Sequence, residues 1–379
     1  MAALALGAFL LTELCRPSLL IVGNLTVDLV DGKKALGGAI SYAAAVASAY
    51  GVKACIVTAA GPDADLSVFE GHELLIVPTQ KTLTFEHTYT WWGNQRKLRV
   101  TAQPNVTLTI DHVPRHCRRA RTVLLGPLTP KDLDAASFVE HEQGLLDRLT
   151  GFRQHVGLMA QGQQRGLDAM GKVYPFKTPS QQLLDALGPQ TSIFLSDVET
   201  DVWPPGTVAD LAARSARFLV TRGEKGADEV VGDTVTHLPP EQVVAVDTNG
   251  AGDTFATAYM LALTMHSRAP GAAANWAASR AVMQAQACKP HCVTDSIRVE
   301  SRYARVCSWL HDRVRLVQEA ASRSEHLPAQ LGSYLEAGRL RIEHQLQRLN
   351  STGTTAVRQV AGSTLRWLAG SEEVSKSNS

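Results

Sequence analysis

Short apolar runs alternate with polar, glycine-containing turns through the first three quarters of the chain. Residues 19–22, 54–58, 193–195 and 218–220 have the length and composition of buried strands. Alanine-rich segments lie between such runs and have helical character. Because strands alternate with helical segments, the pattern predicts a three-layer α/β fold with a mostly parallel central sheet.

Residues 73–101 show a different pattern, in which short β-type runs alternate in polarity. In their middle, Trp91-Trp92-Gly93-Asn94-Gln95 has the composition of a hairpin turn. The pattern predicts short β-strands joined by a hairpin over about residues 73–101, with the two tryptophans packed among them.

From residue 297 onward the composition changes to that of charged, amphipathic helices. Apolar residues recur at three- and four-residue steps, beginning with Val299 and Tyr303. The sequence therefore predicts an amphipathic helical extension over residues 291–370, a polar tail over residues 371–379 and, at the other end, a lead-in over residues 1–17. Two interpretations of the extension stay open. Its helices pack on the domain or on each other, or they dock to a protein partner or a membrane surface.

The overall charge argues against one large class of partner. The chain has 37 basic and 36 acidic residues and a net charge of +1, so it lacks the basic excess typical of nucleic-acid-binding proteins. The charge therefore favours small molecules over polymers as partners. Residues 1–11 are apolar but too short to span a bilayer and lack a positive amino-terminal region, so no transmembrane span is predicted.

The six cysteines are scattered along the chain, which favours a reducing compartment over a disulfide framework. We therefore expect a cytoplasmic protein, with organellar targeting as the alternative. Cys288, His291 and Cys292 resemble half of a zinc site. Since Cys307 is too isolated to complete that pattern, ordinary thiols are favoured over a structural metal.

The most specific chemical signal is the heptapeptide Asp-Thr-Asn-Gly-Ala-Gly-Asp at residues 247–253. An apolar run at residues 243–246 predicts a strand before it, and the alanine-rich segment after Asp253 predicts a helix. Backbone amide groups at such a helix start bind anions, and Asp253 beside them would accept a proton from an attacking hydroxyl. The alternative is a glycine turn that only caps a buried helix.

This turn resembles the signature of the pfkB (ribokinase-like) carbohydrate kinases. The resemblance covers about residues 18–290 and implies a ribokinase-like kinase domain. It also implies that about residues 73–101 form a small β lid, which would exclude water from the reaction beneath it. In that family the Gly-Ala-Gly-Asp turn is the anion hole and its Asp is the catalytic base. The resemblance therefore assigns the anion hole to Gly250, Ala251 and Gly252 and the base to Asp253.

Two earlier segments resemble the family's substrate site. Asp28 follows the first strand, where the family carries an acid that binds sugar hydroxyls, and a carboxylate accepts two hydrogen bonds at once. Gly37 and Gly38 open an alanine-rich helix, where missing side chains allow a substrate to touch the backbone. Many relatives have Asn where Tyr42 stands in this chain.

The metal and nucleotide assignments also come from the resemblance. Glu199 occupies the Glu position of the family's Asn-x-x-Glu motif, with Ser196 in place of the Asn, and implies Mg2+ as cofactor. The nucleotide motif implies ATP as co-substrate and assigns nucleotide-binding roles to five residues. These are Thr221, Gly223, Lys225, Gly226 and Asn275.

Several positions are similar to one branch of the family, the plant-type myo-inositol kinases. Tyr42, Ser196 and the Gly-Glu-Lys-Gly turn at residues 223–226 occur there, as does a segment with Gln161 and Arg165 after a central strand. The resemblance implies an ATP-dependent kinase of a small sugar or cyclic polyol, with myo-inositol as the leading substrate. Two alternatives stay open: an inactive pfkB-like scaffold that acts through its carboxyl-terminal helices, and a fructose- or nucleoside-type kinase.

Overall fold

A nine-stranded sheet lies at the centre of the computed structural model, which describes residues 17–30, 32–89, 96–139, 153–265, 269–284 and 290–297. The strands in these ranges, in chain order, are β1 (Leu19–Gly23), β2 (Thr26–Val30), β3 (Lys33–Gly37), β4 (Ala54–Ala60), β5 (Glu73–Pro78), β6 (Leu83–Tyr89), β7 (Arg96–Ala102), β8 (Thr122–Gly126), β9 (His155–Met159), β10 (Arg165–Leu167), β11 (Val173–Pro175), β12 (Thr191–Ser196), β13 (Arg217–Thr221), β14 (Ala227–Val231) and β15 (Thr234–Leu238).

The large sheet is mostly parallel, as the sequence predicts. Its strand order is β15-β14-β13-β12-β9-β8-β1-β4-β5. Every neighbouring pair from β13 to β5 is parallel. The two pairs at the other edge, β13–β14 and β14–β15, are antiparallel, so that β14 alone runs against the other strands of this sheet. The four strands predicted from the apolar runs are present as β1, β4, β12 and β13.

Alternating side chains of β1 show why both faces of this sheet are covered. Leu19 and Ile21 belong to one buried apolar cluster, whereas Leu20 and Val22 belong to a second. Because successive strand residues point to opposite faces, a strand that is apolar throughout needs a layer on each side. The described helices are α1 (Ala39–Ala49), α2 (Ala136–Val139), α3 (Gln181–Asp185), α4 (Asp197–Thr200), α5 (Thr207–Ala212), α6 (Ala251–Thr264), α7 (Pro270–Val282) and α8 (291–297).

These helices divide between the two faces and complete a three-layer α/β/α fold. Helices α1, α6 and α7 contribute to the cluster that contains Leu19. Helices α2, α3 and α5 contribute Phe138, Leu183 and Leu211 to the cluster that contains Leu20. The predicted fold class is therefore confirmed.

A second, four-stranded sheet has the order β3-β2-β6-β7 and corresponds to the predicted lid. The predicted interval of about residues 73–101 was wrong at its start, because β5 pairs with β4 in the large sheet. It also missed β2 and β3, which supply half of the small sheet. The error is physical in origin, since strand pairing between segments distant in the chain is not visible in local polarity.

Two further expectations from local pattern were wrong. Residues 243–246 are not a strand: Val244 is 84% exposed, and the amide groups of Val246 and Asp247 donate to the carbonyl of Val282 instead. The extension was predicted to start at residue 291, yet α8 is part of the same unit, Arg16–Ile297, and buries Val293 and Ile297 in the core.

The expectation of ordinary thiols was wrong for Cys292, which is disulfide-bonded. The expectation that disulfides are absent was also wrong for Cys55 and Cys117, which are joined to each other. They are 62 residues apart, and only the packing of β4 against the turn at Cys117–Arg119 brings them together.

Among the helices in the described ranges, none has the length and apolar character needed to span a membrane. The predictions for residues 1–16, for the hairpin turn at residues 91–95, for Cys288 and Cys307, and for the extension and tail beyond residue 297 fall outside those ranges.

Candidate active site

A cleft of about 1540 Å3 lies between the small sheet and the carboxyl ends of the large sheet's strands. Met159, Ser196 and Thr221 line it from the ends of β9, β12 and β13. In open α/β sheets, ligands bind at this edge, because loops and helix starts converge there. The predicted site residues that line the cleft are Asp28, Gly38, Glu199, Thr221, Gly250, Gly252 and Asp253.

The start of α6 forms one wall of this cleft. Gly250 precedes the helix with a left-handed backbone (φ 73°), and a Cβ atom placed there would lie 2.1 Å from the ring of Tyr42. The aromatic residue on α1 thus packs directly under the glycine turn. Positive φ and this close contact together explain why the position requires glycine.

The amide groups of the turn are not equivalent. The Ala251 amide donates to the carbonyl of Thr248 at 3.3 Å, and Ala251 does not line the cleft. Gly252 lines it and is the second residue of α6, where helical geometry supplies no acceptor for the backbone N–H. Of the predicted anion-hole residues, Gly250 and Gly252 therefore face the site.

Asp253 lies in the first turn of α6, at the cleft wall. The side-chain amide of Gln161 donates to its Oδ1 at 3.2 Å, and Arg165 donates to Oε1 of Gln161 at 2.9 Å. Both residues line the same cleft. The carboxylate that the sequence nominates as a base is thus oriented by an Arg–Gln chain from the segment that follows β9.

Asp28 lies on β2, facing the cleft from the small sheet. Its Oδ1 accepts a hydrogen bond from the Thr26 hydroxyl at 2.7 Å, and His87 Nε2 lies 3.4 Å from its Oδ2. A Cβ atom on Gly37 would lie 2.3 Å from that oxygen. Gly37 does not line the cleft but leaves room for the Asp28 carboxylate, while Gly38 lines it directly.

Glu199 lies on α4 and is 8% exposed, with its side chain at the cleft wall. Its Oε2 accepts hydrogen bonds from the backbone amide of Ser196, at 3.0 Å, and from the Ser196 hydroxyl. The pair forms a capping box at the start of α4. Ser196, which replaces the family's Asn, therefore fixes the Glu199 carboxylate.

The predicted nucleotide residues divide into two groups. Thr221 lines the cleft at the end of β13. Gly223, Lys225 and Gly226 form the turn that follows, and they do not line the cleft. Asn275 is also outside the cleft: its side-chain amide donates to the backbone carbonyls of Leu238 and Pro239, at 3.2 and 2.6 Å.

Three cleft residues from other strands and loops were not singled out by the sequence. His87 on β6 is buried, and Lys97 on β7 and Lys172 before β11 bring positive charge to the same cleft. The alternation of Phe85 and His87 on one face of β6 was an available signal. The presence of Lys172 in the same cleft as Lys97 could not be predicted from local sequence. It depends on a backbone bridge between Lys172 and Arg99, which lies two residues after Lys97 on β7.

Comparison with known proteins finds a family match over part of the chain and a fold match over most of it. Residues 198–292 match the family described as pfkB family carbohydrate kinase. A 64-residue segment is 41% identical to a fructokinase of Klebsiella pneumoniae and represents 16% of this chain. The matched segment spans only 21% of that fructokinase.

Solved structures match over most of their length. A sulfate complex of a pyrophosphate-dependent kinase in the ribokinase family has a TM-score of 0.54 and 16% identity, over 70% of this chain and 94% of the other. A pyrophosphate-dependent myo-inositol-1 kinase converted into a myo-inositol-3 kinase has a TM-score of 0.53 and 15% identity, over 74% and 98%. At these identities the likeness shows the fold, which is ribokinase-like.

Proposed function

We propose that this chain is a kinase that transfers the γ-phosphoryl group of ATP to a hydroxyl of a small sugar or cyclic polyol. The observation that carries the proposal is the position of Asp253. Its carboxylate lies in the first turn of α6, at the wall of a large cleft, with Gln161 oriented against it. The pfkB family match across residues 198–292, which includes this turn, supports the same reaction class.

Asp253 would accept the proton of the acceptor hydroxyl as that oxygen attacks the phosphorus. The hydrogen bond from Gln161 holds the carboxylate in one orientation. Positioning of this kind, together with charge stabilisation, is how proteins catalyse phosphoryl transfer. The backbone amide of Gly252, at the positive end of α6, would stabilise charge on the transferred group. Proton transfer and charge stabilisation thus come from adjacent residues of one helix start.

The acceptor would bind between α6 and the small sheet. One carboxylate oxygen of Asp28 accepts a hydrogen bond from the Thr26 hydroxyl, and a carboxylate can bind a pair of neighbouring hydroxyl groups. Gly38 lines the cleft beside it without a side chain. Closure of the small sheet over the acceptor would exclude water, which otherwise competes as the phosphoryl acceptor.

The donor would lie toward the ends of β12 and β13, near Glu199 and Thr221. The Glu199 carboxylate fits a role in holding Mg2+ through water, because it lines the cleft and Ser196 fixes one of its oxygens. When bound, Mg2+ would neutralise phosphate charge. Lys225 and its flanking glycines would contribute to the donor site only if the turn at residues 223–225 moves toward the cleft. Asn275 would act indirectly, by anchoring α7 to Leu238 at the end of β15.

Myo-inositol is the substrate we propose within this class. The support is the shared positions Tyr42, Ser196, Gln161 and Arg165, and one of the matched folds belongs to a myo-inositol kinase. Tyr42 packs on Gly250 and Gln161 orients Asp253, so these branch-specific residues surround the catalytic turn. The fructokinase segment match keeps fructose in the test as the competing acceptor.

The experiment measures phosphoryl transfer with a panel of acceptors and two donors. Purified full-length protein is incubated with Mg2+ and either ATP or pyrophosphate, and with myo-inositol, fructose, ribose or adenosine. Product is detected by mass spectrometry. Asp253→Asn is the matched variant, because it keeps the shape of the side chain and its contact with Gln161 while removing the base.

We expect turnover with ATP and myo-inositol, and a loss of at least about 100-fold in Asp253→Asn. Turnover with another acceptor, again lost in Asp253→Asn, would retain the kinase and replace the substrate. Absence of product with every pair, from protein that is folded and binds ATP, would reject the proposal in favour of a scaffold.

A further inference from the structure

A second cluster of chemically active side chains lies away from the cleft, at the opposite end of the strands of the large sheet. Cys55, Glu73, His116 and Cys117 place one ligand atom each within 4.8 Å of all the others. Cys55 is the second residue of β4 and pairs in register with Glu73 on β5. Since the cleft lies at the carboxyl ends of the parallel strands, this cluster belongs to the amino-terminal end of β4.

The oxidation state of the two cysteines decides what the cluster can bind. They are joined as a disulfide, whose sulfurs are poor metal ligands, because the thiolate is the form that binds a metal. The other two donors already surround the sulfurs. His116 Nε2 lies 3.3 Å from Cys117 Sγ, and the carboxylate oxygens of Glu73 lie 3.6 Å from Cys55 Sγ and 3.8 Å from Cys117 Sγ.

These separations match those of a tetrahedral zinc site. With Zn–S bonds of about 2.3 Å and Zn–N or Zn–O bonds of about 2.0 Å, a sulfur and a nitrogen or oxygen ligand are about 3.5 Å apart. The sulfur-to-His116 and sulfur-to-Glu73 distances lie on both sides of that value. To bind the ion, the two sulfurs would have to separate, as would His116 Nε2 and Glu73 Oε1, which are now 2.7 Å apart.

Burial in the cluster is also that of a site with an entry path. The two cysteines are almost fully buried, whereas the side chains of His116 and Glu73 are 60% and 45% exposed. An ion arriving from solvent would meet the imidazole and the carboxylate first and the sulfurs beneath them. Two thiolates, one imidazole and one carboxylate form a donor set that suits zinc.

We propose that Cys55, Glu73, His116 and Cys117 form a zinc site in the reduced protein, and that the Cys55–Cys117 disulfide replaces the metal on oxidation. A dithiol reductant supplies two electrons and two protons, which convert the disulfide into two thiols, and itself becomes a disulfide. On binding Zn2+, the thiols release two protons to solvent. Oxidation by a disulfide reverses these steps and releases the ion.

Both forms link β4 to the turn at Cys117–Arg119. In the oxidised protein the link is covalent and joins β4 to the turn alone. In the reduced protein the metal would join β5 to them as well. The cluster therefore holds β4 and the turn together in both redox states. A change of redox state alters the metal content of the protein and leaves its fold unchanged.

The test titrates Co2+ into full-length protein carrying Cys288→Ser and Cys292→Ser, so that those cysteines cannot contribute ligands. One sample is reduced with dithiothreitol and desalted under nitrogen, and the other keeps its disulfide. We expect one Co2+ per reduced chain, with thiolate-to-cobalt absorption and visible bands of tetrahedral cobalt, and displacement by one Zn2+. The oxidised sample should show neither.

Variants separate this site from adventitious binding. Cys117→Ser should abolish the thiolate absorption, and His116→Ala, which keeps both cysteines, should weaken Zn2+ binding by at least about 10-fold. His155→Ala, at another exposed histidine, is the matched control and should bind as the parent does. Resistance of the disulfide to dithiothreitol in the folded protein, equal binding before and after reduction, or unchanged Zn2+ affinity in His116→Ala would each overturn the proposal.

Discussion

Gln161 donates a hydrogen bond to Asp253 across 92 residues of sequence, with its Nε2 3.2 Å from the Asp253 Oδ1. Arg165 in turn donates to the Oε1 of Gln161, which fixes the orientation of that amide. The amide thus presents its N–H groups, rather than its oxygen, to the carboxylate. If Asp253 is the base, its geometry depends on this pair.

We therefore expect Gln161→Leu to lower kcat by about 100-fold, because the carboxylate loses the donor that orients it. The KM for ATP should change little, since Gln161 acts through the proposed base, whereas the donor is proposed to bind near Glu199 and Thr221. Steady-state kinetics with the substrate found in the acceptor panel measures both constants. The same substitution at exposed Gln181 on α3 is the control, and a Gln161→Leu enzyme within twofold of the parent would contradict the role.

Gly250→Ala and Gly252→Ala should have opposite consequences for stability. At Gly250 the new methyl group would meet the ring of Tyr42 at a backbone φ of 73°, so we expect a loss of about 1–3 kcal/mol in the free energy of unfolding. At Gly252 no atom lies within 4 Å of the added Cβ, and alanine favours the helix by up to about 1 kcal/mol.

Urea unfolding measures that difference, and activity is assayed on the same samples. Gly252→Ala should be at least as stable as the parent and yet less active, because the methyl group enters the cleft wall at the proposed anion hole. If the two variants unfold at the same urea concentration, the close contact between Gly250 and Tyr42 has no energetic weight and this explanation is wrong.

Asp28→Asn should raise the KM for the acceptor by about 10- to 100-fold, because hydrogen bonds to a charged group contribute about 1.5–3 kcal/mol. The KM for ATP is the internal control and should stay within twofold of the parent. Asp233→Asn, at an exposed hairpin turn, is the matched control for the substitution itself. An unchanged acceptor KM in Asp28→Asn would remove this carboxylate from the substrate site.

Asp132 should make stability depend on pH. Its side chain is buried, and its carboxylate accepts hydrogen bonds from the backbone amides of Thr129 and of Leu128, which lines the cleft. Desolvation nevertheless raises the pKa of Asp132 to about 7. The folded protein then holds a proton that the unfolded chain releases near pH 4. The contribution of this protonated carboxyl group to the free energy of unfolding is therefore fully present below pH 4 and is lost as the pH rises to about 7.

Asp132→Asn should remove that part of the slope, by roughly 1 kcal/mol per pH unit between pH 4 and 7. Unfolding in urea at pH 5, 6, 7 and 8 measures it, with Asp134→Asn as the exposed control two residues away. A parallel pH profile for the parent and Asp132→Asn would show that the carboxyl group is not protonated in the folded protein.

Much of the architecture follows from local sequence. Apolar runs such as residues 19–22 are buried on both faces, so they predict strands of a covered parallel sheet without knowledge of their neighbours. The glycine turn before Asp253 likewise predicts a helix start, because its conformation and the following alanines are local properties. The sequence alone therefore determined the layer order, the helix α6 and the candidate base.

Tertiary structure decided everything that depends on which segments meet. Residues 243–246 have strand composition but form no strand, and Val244 and Val246 are exposed. The Val246 amide donates to the carbonyl of Val282 at the end of α7 rather than to a neighbouring strand. Strands β2 and β3 pair with β6 and β7 in the small sheet, whereas β5 belongs to the large sheet. Cys55 and Cys117 become partners, and Gln161 reaches Asp253, only through folding. Propensity acts over a few residues, whereas pairing and packing join positions tens of residues apart, so only the folded chain reveals them.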